Sequence, residues 1–376
     1  MIFPLAAALL FTLATLLLAL PVALFWRWRG WPQWPFWRGV LWLHLGLFVV
    51  HGFVTFPLLL GWFGSRQLGT RPHERAYAGP RLDADGHLLP QTWDSLKAEL
   101  AAGQPAVAAE VVAAARARER RIPSSGGVTL QVYRLESRVE PPRAMAVLVH
   151  GLFRSAMELE AVAGMLREQG CECWLVDLRN HGGSSRAPFT GGFRESDDVV
   201  AAVEYARAQP GRQGVPTVLF GVSLGTIAVS LALPRLDGIA GVVLDAPMDD
   251  LTAAAHRMLG FDRKNDGRSW FRIDEPWRSL VVTSLETWSD FRMRDVSPGE
   301  VLAALPHDLP VLMVGAGIDD RAPPETVERL FARLPMPAGL KELWMVPGSR
   351  HGWVFVDQPA AYAAHLQRLL ERLRRP

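Results

Sequence analysis

A serine lies between two glycines in the segment Gly221–Gly225, directly after the apolar run Thr217–Phe220. A strand that passes into a helix through such a segment forms a sharp turn, which exposes the serine hydroxyl and accepts only small residues two positions before and after it. Gly221 and Gly225 occupy those positions. The pattern predicts that Ser223 is a nucleophile and makes the chain a candidate serine hydrolase.

Attack by a serine on a carbonyl group requires a histidine that takes the serine proton and a carboxylate that orients the histidine. The chain offers several residues for each role. The candidate histidines are His256, His307, His351 and His365, and the candidate carboxylates are Asp245, Asp319 and Asp320. Residue types alone leave both choices open.

Short apolar runs alternate with helical segments from Ile122 onward, which is typical of an α/β fold whose mainly parallel sheet is flanked by helices. Strands are predicted at Val128–Leu135, Met145–Val149, Cys173–Asp177, Thr217–Phe220, Val242–Leu244, Val311–Val314 and Leu343–Val346. Helices are predicted at Ala156–Gln169, Glu195–Ala208, Thr226–Leu233, Pro324–Leu334 and Pro359–Arg374. Each candidate catalytic carboxylate therefore follows the carboxyl end of a predicted strand.

Four motifs occur in a characteristic order along this region. They are a His150-Gly151 turn, the segment Asp177–Ser184, the segment Gly221–Gly225, and a late acid followed by His351. In this order, the chain from about residue 122 to its end resembles the α/β-hydrolase fold, in particular its serine esterase, monoacylglycerol-lipase-like and serine-peptidase-like branches. The resemblance implies that His351 is the catalytic base.

The same resemblance implies the remaining site residues. Relatives that carry two aspartates before an arginine use the first as the acid, which favours Asp319 over its neighbour Asp320, with Asp245 as a third choice. The backbone N–H groups of Leu224 and, by analogy with the His-Gly turn, of Leu152 are expected to form the oxyanion hole. The histidines of the first two motifs are expected to brace their turns.

Residues 247–305 are an insertion at the place where this fold usually carries its lid. The insertion is rich in aromatic residues, which either line a pocket for an acyl chain or belong to the core. A peptidase would need an acidic anchor for a substrate amino terminus, and Glu275, Glu286 and Asp290 are the candidates, although they could equally be solvated surface residues.

Two uncharged stretches, about residues 2–26 and 39–64, are each long enough to cross a bilayer core of about 30 Å. We interpret residues 1–64 as a transmembrane hairpin rather than a signal peptide, because no basic region precedes the first stretch and no cleavage site precedes Pro21. Residues 65–121 are predicted to form a connector and a helical stalk, helical from Trp93 to Arg121. Arg27, Arg29 and Arg38 between the stretches are balanced by Arg66, Arg71 and Arg75 after the second stretch, which leaves the membrane orientation open.

The composition also bears on partners, cofactors and metals. The net charge of +2 is spread along the chain, which argues against a nucleic-acid partner. No phosphate-binding glycine loop and no zinc-spaced ligand set occurs in the sequence, so neither a cofactor nor a metal is predicted. Cys171 and Cys173 are expected to be packed thiols.

These observations predict a membrane-anchored serine hydrolase that cleaves carboxylic esters of hydrophobic or lipid-like substrates through an acyl-enzyme on Ser223. A multi-pass cell-membrane location with two spans is predicted from the hairpin. The alternatives are a serine peptidase or thioesterase of the same fold and, in a different class, a non-catalytic membrane-anchored binding scaffold.

Overall fold

The computed structural model describes residues 2–30, 36–70, 119–152, 154–260, 273–289 and 291–373. The chain divides into two compact units. The first contains Met1–Ser65 together with Ile273–Asp290, and the second contains Arg66–Arg272 together with Phe291–Pro376. The β-sheet belongs entirely to the second unit.

The described α-helices are distributed over both units. They are α1 Ile2–Trp28, α2 Phe36–Val50, α3 Phe56–Thr70, α4 Glu160–Glu168, α5 Glu195–Arg207, α6 Leu224–Ala232, α7 Leu251–Gly260, α8 Trp277–Trp288, α9 Pro298–Ala303, α10 Pro324–Arg333, α11 Val354–Asp357 and α12 Pro359–Glu371. A π-helical turn, His51–Thr55, joins α2 to α3. The helix α8 belongs to the first unit although both flanking parts of the chain belong to the second.

The sheet has eight strands in the order β1-β2-β4-β3-β5-β6-β7-β8. They are β1 Glu119–Pro123, β2 Thr129–Leu135, β3 Ala144–Val149, β4 Cys171–Val176, β5 Thr217–Val222, β6 Ile239–Asp245, β7 Val311–Ile318 and β8 Lys341–Arg350. The pairs β1–β2 and β2–β4 are antiparallel and the remaining pairs are parallel, so the sheet is mixed. The carboxyl ends of β5, β7 and β8, which precede the candidate catalytic residues, therefore lie at one edge of the sheet.

Both faces of the sheet are covered by helices. Because side chains alternate between the faces of a strand, Val147 and Val149 join one hydrophobic core while Ala146 and Leu148 join the other. The first core includes residues of α5 and α6, and the second includes residues of α4 and α12. This burial on both faces explains why the central strands are continuously apolar.

The seven predicted strands all occur, and the sheet has one further strand, β1. The prediction of helix up to Arg121 was wrong at its end, because Glu119–Arg121 are the first residues of β1. They pair with β2 in antiparallel register, and Ile122 in the same strand is buried. The rest of the predicted stalk, residues 93–118, lies outside the described residues.

The first unit contains the apolar N-terminal helices. Among the described residues one continuous helix, Arg38–Ser65, is long and apolar enough to cross a membrane by its length of 28 residues and its composition. The other described apolar stretch near the amino terminus, Thr12–Trp28, is shorter. The helices α1 and α2 contact each other.

Candidate active site

Ser223 lies at the turn between β5 and α6, in a backbone conformation that residues with a side chain rarely adopt. Its φ is 53° and its ψ is −117°. The surrounding structure holds this strained turn, because the backbone N–H of Ser223 donates to the carbonyl oxygen of Asp245 over 2.9 Å and its own carbonyl oxygen accepts from Thr226. A side chain at Gly221 would meet the backbone of Gly225, so the turn requires glycine there.

His351 connects the serine to a carboxylate. Its Nε2 lies 2.7 Å from Oγ of Ser223, and its Nδ1 lies 2.7 Å from Oδ2 of Asp319. The histidine follows the carboxyl end of β8, as predicted, and only 14% of its side chain is exposed. Since Nδ1 faces a carboxylate, the proton of the neutral ring belongs on Nδ1 and Nε2 is free to accept the serine proton.

Asp319 follows β7 and its two carboxylate oxygens have different partners. Oδ2 faces His351, while Oδ1 accepts the backbone N–H groups of Arg321 at 2.8 Å and Ala322 at 2.9 Å. The side chain is fully buried. The carboxylate is thus fixed by the turn that follows it, whereas Asp320 makes no hydrogen bond to His351 in the described structure.

The third candidate acid, Asp245, lies at the end of β6 and has another partner. Its Oδ2 accepts the hydroxyl proton of Tyr362 over 2.8 Å. Burial, with smaller contributions from the charges of Asp319 and Glu158, raises the pKa of Asp245 to about 7, although the hydrogen bond from Tyr362 acts in the opposite direction. The backbone oxygen of Asp245 accepts the N–H of Ser223, so Asp245 contributes to the site by holding the serine backbone in place.

The predicted oxyanion residues flank the serine. Leu224 is the first residue of α6, whose N-terminal N–H groups have no partner within the helix and favour negative charge. Leu152 follows Gly151, and the position of a Cβ on that glycine would lie 3.4 Å from Cβ of Ser223. Both predicted donors are therefore on segments adjacent to Ser223.

Glu158 is a buried acid near the site that sequence reasoning did not identify. Its Oε2 accepts the backbone N–H of Gly151 over 2.9 Å, and its Oε1 lies 3.3 Å from Nε of Arg154. Burial raises its pKa, while Arg154 and the Gly151 N–H lower it. In the sequence, the only indication of this arrangement is that Glu158 lies four residues after Arg154, a spacing at which oppositely charged side chains can pair.

The His-Gly and Asp177–Ser184 motifs brace the turns beside the site. Nε2 of His150 accepts the backbone N–H of Leu178 over 3.1 Å, and its Nδ1 faces the carbonyl oxygen of Gly151 at 2.7 Å. Asp177 accepts the backbone N–H groups of Ala156 and Gly183. These contacts agree with the structural role expected for the two motifs.

The described residues contain no group of three or more histidine, cysteine, aspartate or glutamate side chains placed to hold a metal ion. Cys171 and Cys173 are buried free thiols. Burial raises the pKa of Cys171 to about 12, which keeps its thiol protonated.

The aromatic residues of the predicted lid have different surroundings. Trp270 and Phe271 lie outside the described residues. Trp277 stacks on Phe53 within the first unit, and Phe291 stacks on Phe193 within the second. Ring packing is therefore a described contact of both residues, and Trp277 also donates a hydrogen bond to the carbonyl oxygen of Gly52.

Residues 146–365 match the model of a family described as the alpha/beta hydrolase family. The chain belongs to this alpha/beta hydrolase family. The prediction drawn from the four motifs is thereby confirmed at the level of the family.

Solved structures of other proteins share the fold. An esterase from Pyrococcus furiosus superposes with a TM-score of 0.53 at 18% identity, over 68% of this chain and 90% of that one. An alpha/beta hydrolase from Penicillium superposes with a TM-score of 0.53 at 19% identity, over 68% of this chain and 98% of that one. A search of curated proteins found no match.

Proposed function

We propose that this alpha/beta hydrolase is a serine hydrolase that cleaves carboxylic esters of hydrophobic or lipid-like substrates. The observation that carries the proposal is the continuous hydrogen-bonded chain from Ser223 through His351 to Asp319, with 2.7 Å at each of its two steps. These distances lie within the range in which a base can take the proton of a nucleophile.

The chemistry begins with attack on the ester. Oγ of Ser223 forms a bond to the carbonyl carbon and transfers its proton to Nε2 of His351, while Asp319 stabilises the positive charge on the ring. The carbonyl oxygen becomes an oxyanion, which the N–H groups of Leu152 and Leu224 stabilise. Loss of one such donor typically lowers the rate by about 100-fold to 1000-fold.

The intermediate then collapses in two stages. The bond to the alkoxy group breaks, His351 gives its proton to the departing alcohol, and an acyl ester on Ser223 remains. A water molecule attacks this acyl ester and gives a proton to His351. The second tetrahedral intermediate releases the carboxylic acid, and the serine regains its proton from the histidine.

The lipid-like substrate class follows from the proposed anchoring. Residues 1–64 would hold the protein in a membrane as a hairpin of two spans, and the apolar helix Arg38–Ser65 supports this placement. An enzyme held in a bilayer meets hydrophobic esters at a high local concentration. We therefore propose a multi-pass cell-membrane protein.

The candidate anchors for the amino terminus of a peptide substrate differ in the part of the chain that the structure describes: Glu275 has partners, whereas Oε1 of Glu286 is buried there without a hydrogen bond. Glu275, a candidate anchor for a substrate amino terminus, is already engaged, because its Oε1 lies 2.8 Å from Nε of Arg278 and its Oε2 accepts the hydroxyl proton of Ser279 over 2.7 Å. The candidate Asp290 lies outside the described residues.

Hydrolysis of p-nitrophenyl esters of increasing acyl length, beside matched p-nitroanilides, tests the proposal. We expect ester turnover to rise with acyl length and to disappear in Ser223→Ala. The control is Ser230→Ala, which removes a buried hydroxyl from α6 that donates to the carbonyl oxygen of Thr226. Preferential anilide cleavage would favour a peptidase, and absence of all turnover in the folded protein would favour a binding scaffold.

Membrane placement is tested separately by extraction of isolated membranes at alkaline pH. A protein with spans stays in the membrane fraction, and release into the soluble fraction would refute the proposed anchoring.

A further inference from the structure

The helix α8, in the predicted lid, packs along the second half of the apolar helix Arg38–Ser65. At its start, Nε1 of Trp277 donates to the carbonyl oxygen of Gly52 over 2.9 Å, and the indole stacks on Phe53 with ring centroids 5.2 Å apart. About two helical turns further on, Oγ of Ser284 donates to the carbonyl oxygen of Leu58 over 3.2 Å. The two helices therefore run side by side in the same direction.

The hydrogen bond from Trp277 satisfies the carbonyl oxygen of Gly52, which lacks a backbone donor from its own helix. In the π-helical turn, the N–H of Phe56 donates to the carbonyl oxygen of His51, five residues back. Continued by one residue, this pattern would require residue 57 to donate to Gly52, but residue 57 is proline and has no N–H. The indole N–H of Trp277 takes the place of the missing donor.

The contact at Gly61 depends on the absence of a side chain. A Cβ at this position would overlap Oγ and Cβ of Ser284 and would lie 2.7 Å from the backbone nitrogen of Leu285. Gly46, on the same apolar helix, has no described atom within 4 Å of the corresponding position. Small residues at close helix contacts are typical of membrane helix pairs, so Gly61 has the character of an interface residue.

Charges and aromatic residues indicate the depth of this helix pair. Glu275, just before α8, and Arg278 form an ion pair at the level of Gly52, and pairing is how ionic side chains are accommodated within a bilayer. The exposed aromatic residues Trp62 and Trp288 lie at the carboxyl-terminal ends of the two helices, and such residues are enriched at the membrane surface. The carboxyl-terminal ends of α3 and α8 therefore fit the interfacial region of a bilayer.

We infer that α8 is a third helix of the membrane anchor, and that its contact with Gly52–Gly64 holds this part of the predicted lid at the membrane surface, where it favours esters carried in lipid over dissolved esters. The contact itself is independent of catalysis. Its effect on substrate choice rests on the proposed ester hydrolysis. The membrane anchor would then influence the choice of substrate and also hold the protein at the membrane.

The contact is tested by hydrogen exchange of residues 277–288 in the full chain, reconstituted in phospholipid nanodiscs and carrying Ser223→Ala so that turnover has no influence. We expect Gly61→Ala to speed exchange of α8 by at least about tenfold, because the added methyl group forces the helices apart. Gly46→Ala is the matched control and should leave α8 unchanged. Unchanged exchange of β5 shows that each variant is folded.

Two further variants probe the individual contacts. Trp277→Phe keeps an aromatic ring but removes the N–H, and should speed exchange of α8 by about fivefold, the effect of one lost hydrogen bond. Ser284→Gly, added to Gly61→Ala, removes the overlapping side-chain atoms and should restore part of the protection, because the close approach to the backbone nitrogen of Leu285 remains. Equal exchange of α8 in Gly61→Ala and Gly46→Ala would overturn the proposed contact.

The functional part is tested with the catalytic serine intact. We compare hydrolysis of a long-chain ester embedded in phospholipid vesicles with hydrolysis of p-nitrophenyl acetate in solution. The ratio of the two rates should fall at least about fivefold in Gly61→Ala and stay unchanged in Gly46→Ala. Faster exchange with an unchanged ratio would refute the role in substrate choice, and a wild type without any turnover would refute the ester hydrolysis while leaving the exchange result valid.

Discussion

Replacement of Asp319 by asparagine perturbs the proposed catalytic site through hydrogen-bond polarity while preserving its shape. Oδ1 of Asp319 accepts two backbone N–H groups, from Arg321 and Ala322. An amide nitrogen cannot accept hydrogen bonds, so the amide oxygen of the asparagine stays on that side. The NH₂ group then faces Nδ1 of His351, where Oδ2 now lies 2.7 Å away.

The consequence is a change of tautomer. With a donor opposite Nδ1, the neutral imidazole of His351 carries its proton on Nε2, which then faces Oγ of Ser223 as a donor and cannot accept the serine proton. In a serine protease with this arrangement, the corresponding substitution lowers kcat by about 10⁴-fold. We expect a loss of the same order, equivalent to about 5 kcal/mol of transition-state stabilisation.

The assay is steady-state hydrolysis of a p-nitrophenyl ester by detergent-solubilised protein, with kcat and KM determined separately. KM should change little, because the substitution alters proton transfer rather than substrate binding. Asp320→Asn is the matched control and should retain kcat to within about tenfold, since Asp320 does not bond to His351. An Asp319→Asn enzyme with near-normal kcat, or an equal loss in Asp320→Asn, would refute the assignment of the acid.

Three further predictions concern the supports of the site. Glu158→Ala removes the acceptor for the Gly151 N–H and should lower kcat about tenfold to hundredfold with KM nearly unchanged, while Glu158→Gln restores most of the rate. In urea unfolding, the free energy of unfolding of Asp245→Asn relative to wild type should be about 2 kcal/mol more favourable at pH 8 than at pH 5. The raised pKa of Asp245 makes the folded wild type bind an extra proton below about pH 7, and the stabilisation from this proton is lost as the pH rises. Gly225→Ala should destabilise the fold by about 1–3 kcal/mol, because its methyl group meets the Val149 backbone, whereas Gly164→Ala in α4 should stabilise it by up to about 1 kcal/mol.

Each of these predictions has a contradicting result. Equal rates for Glu158→Ala and wild type would show that the Gly151 loop keeps its position without the carboxylate. A constant stability difference for Asp245→Asn at both pH values would mean that the carboxyl group does not titrate in this range. Equal unfolding free energies for the two alanine variants would contradict the close approach at Gly225.

The serine turn was predictable from sequence because its requirements are local. Gly221 and Gly225 flank Ser223 at fixed spacing, and the apolar run before them is a central strand. His351 lies 128 residues from Ser223 along the chain, and no periodicity predicts that the two meet. Their proximity, and the preference for Asp319, came from the resemblance to the α/β-hydrolase fold, and the structure brings the three residues together.

The features that sequence reasoning missed depend on contacts that form only in the folded chain. The strand β1 contains Arg120 and Arg121 and has Ile122 as its buried apolar residue, so its apolar pattern is weak and its pairing with β2 stabilises it. Glu158 becomes significant only when the chain brings it to Gly151. Trp277 resembled a pocket or core residue in sequence, because its partner Gly52 lies 225 positions away.

The proposal that Ser223 is an activated nucleophile is tested most directly by labelling with a fluorophosphonate probe, which reacts covalently with activated serines. The detergent-solubilised wild type is compared with Ser223→Ala and with Ser230→Ala, each shown to be folded by its thermal unfolding transition. We predict labelling of the wild type and Ser230→Ala, and none of Ser223→Ala. Labelling that persists in Ser223→Ala, or a folded wild type that does not react, would contradict the proposed mechanism.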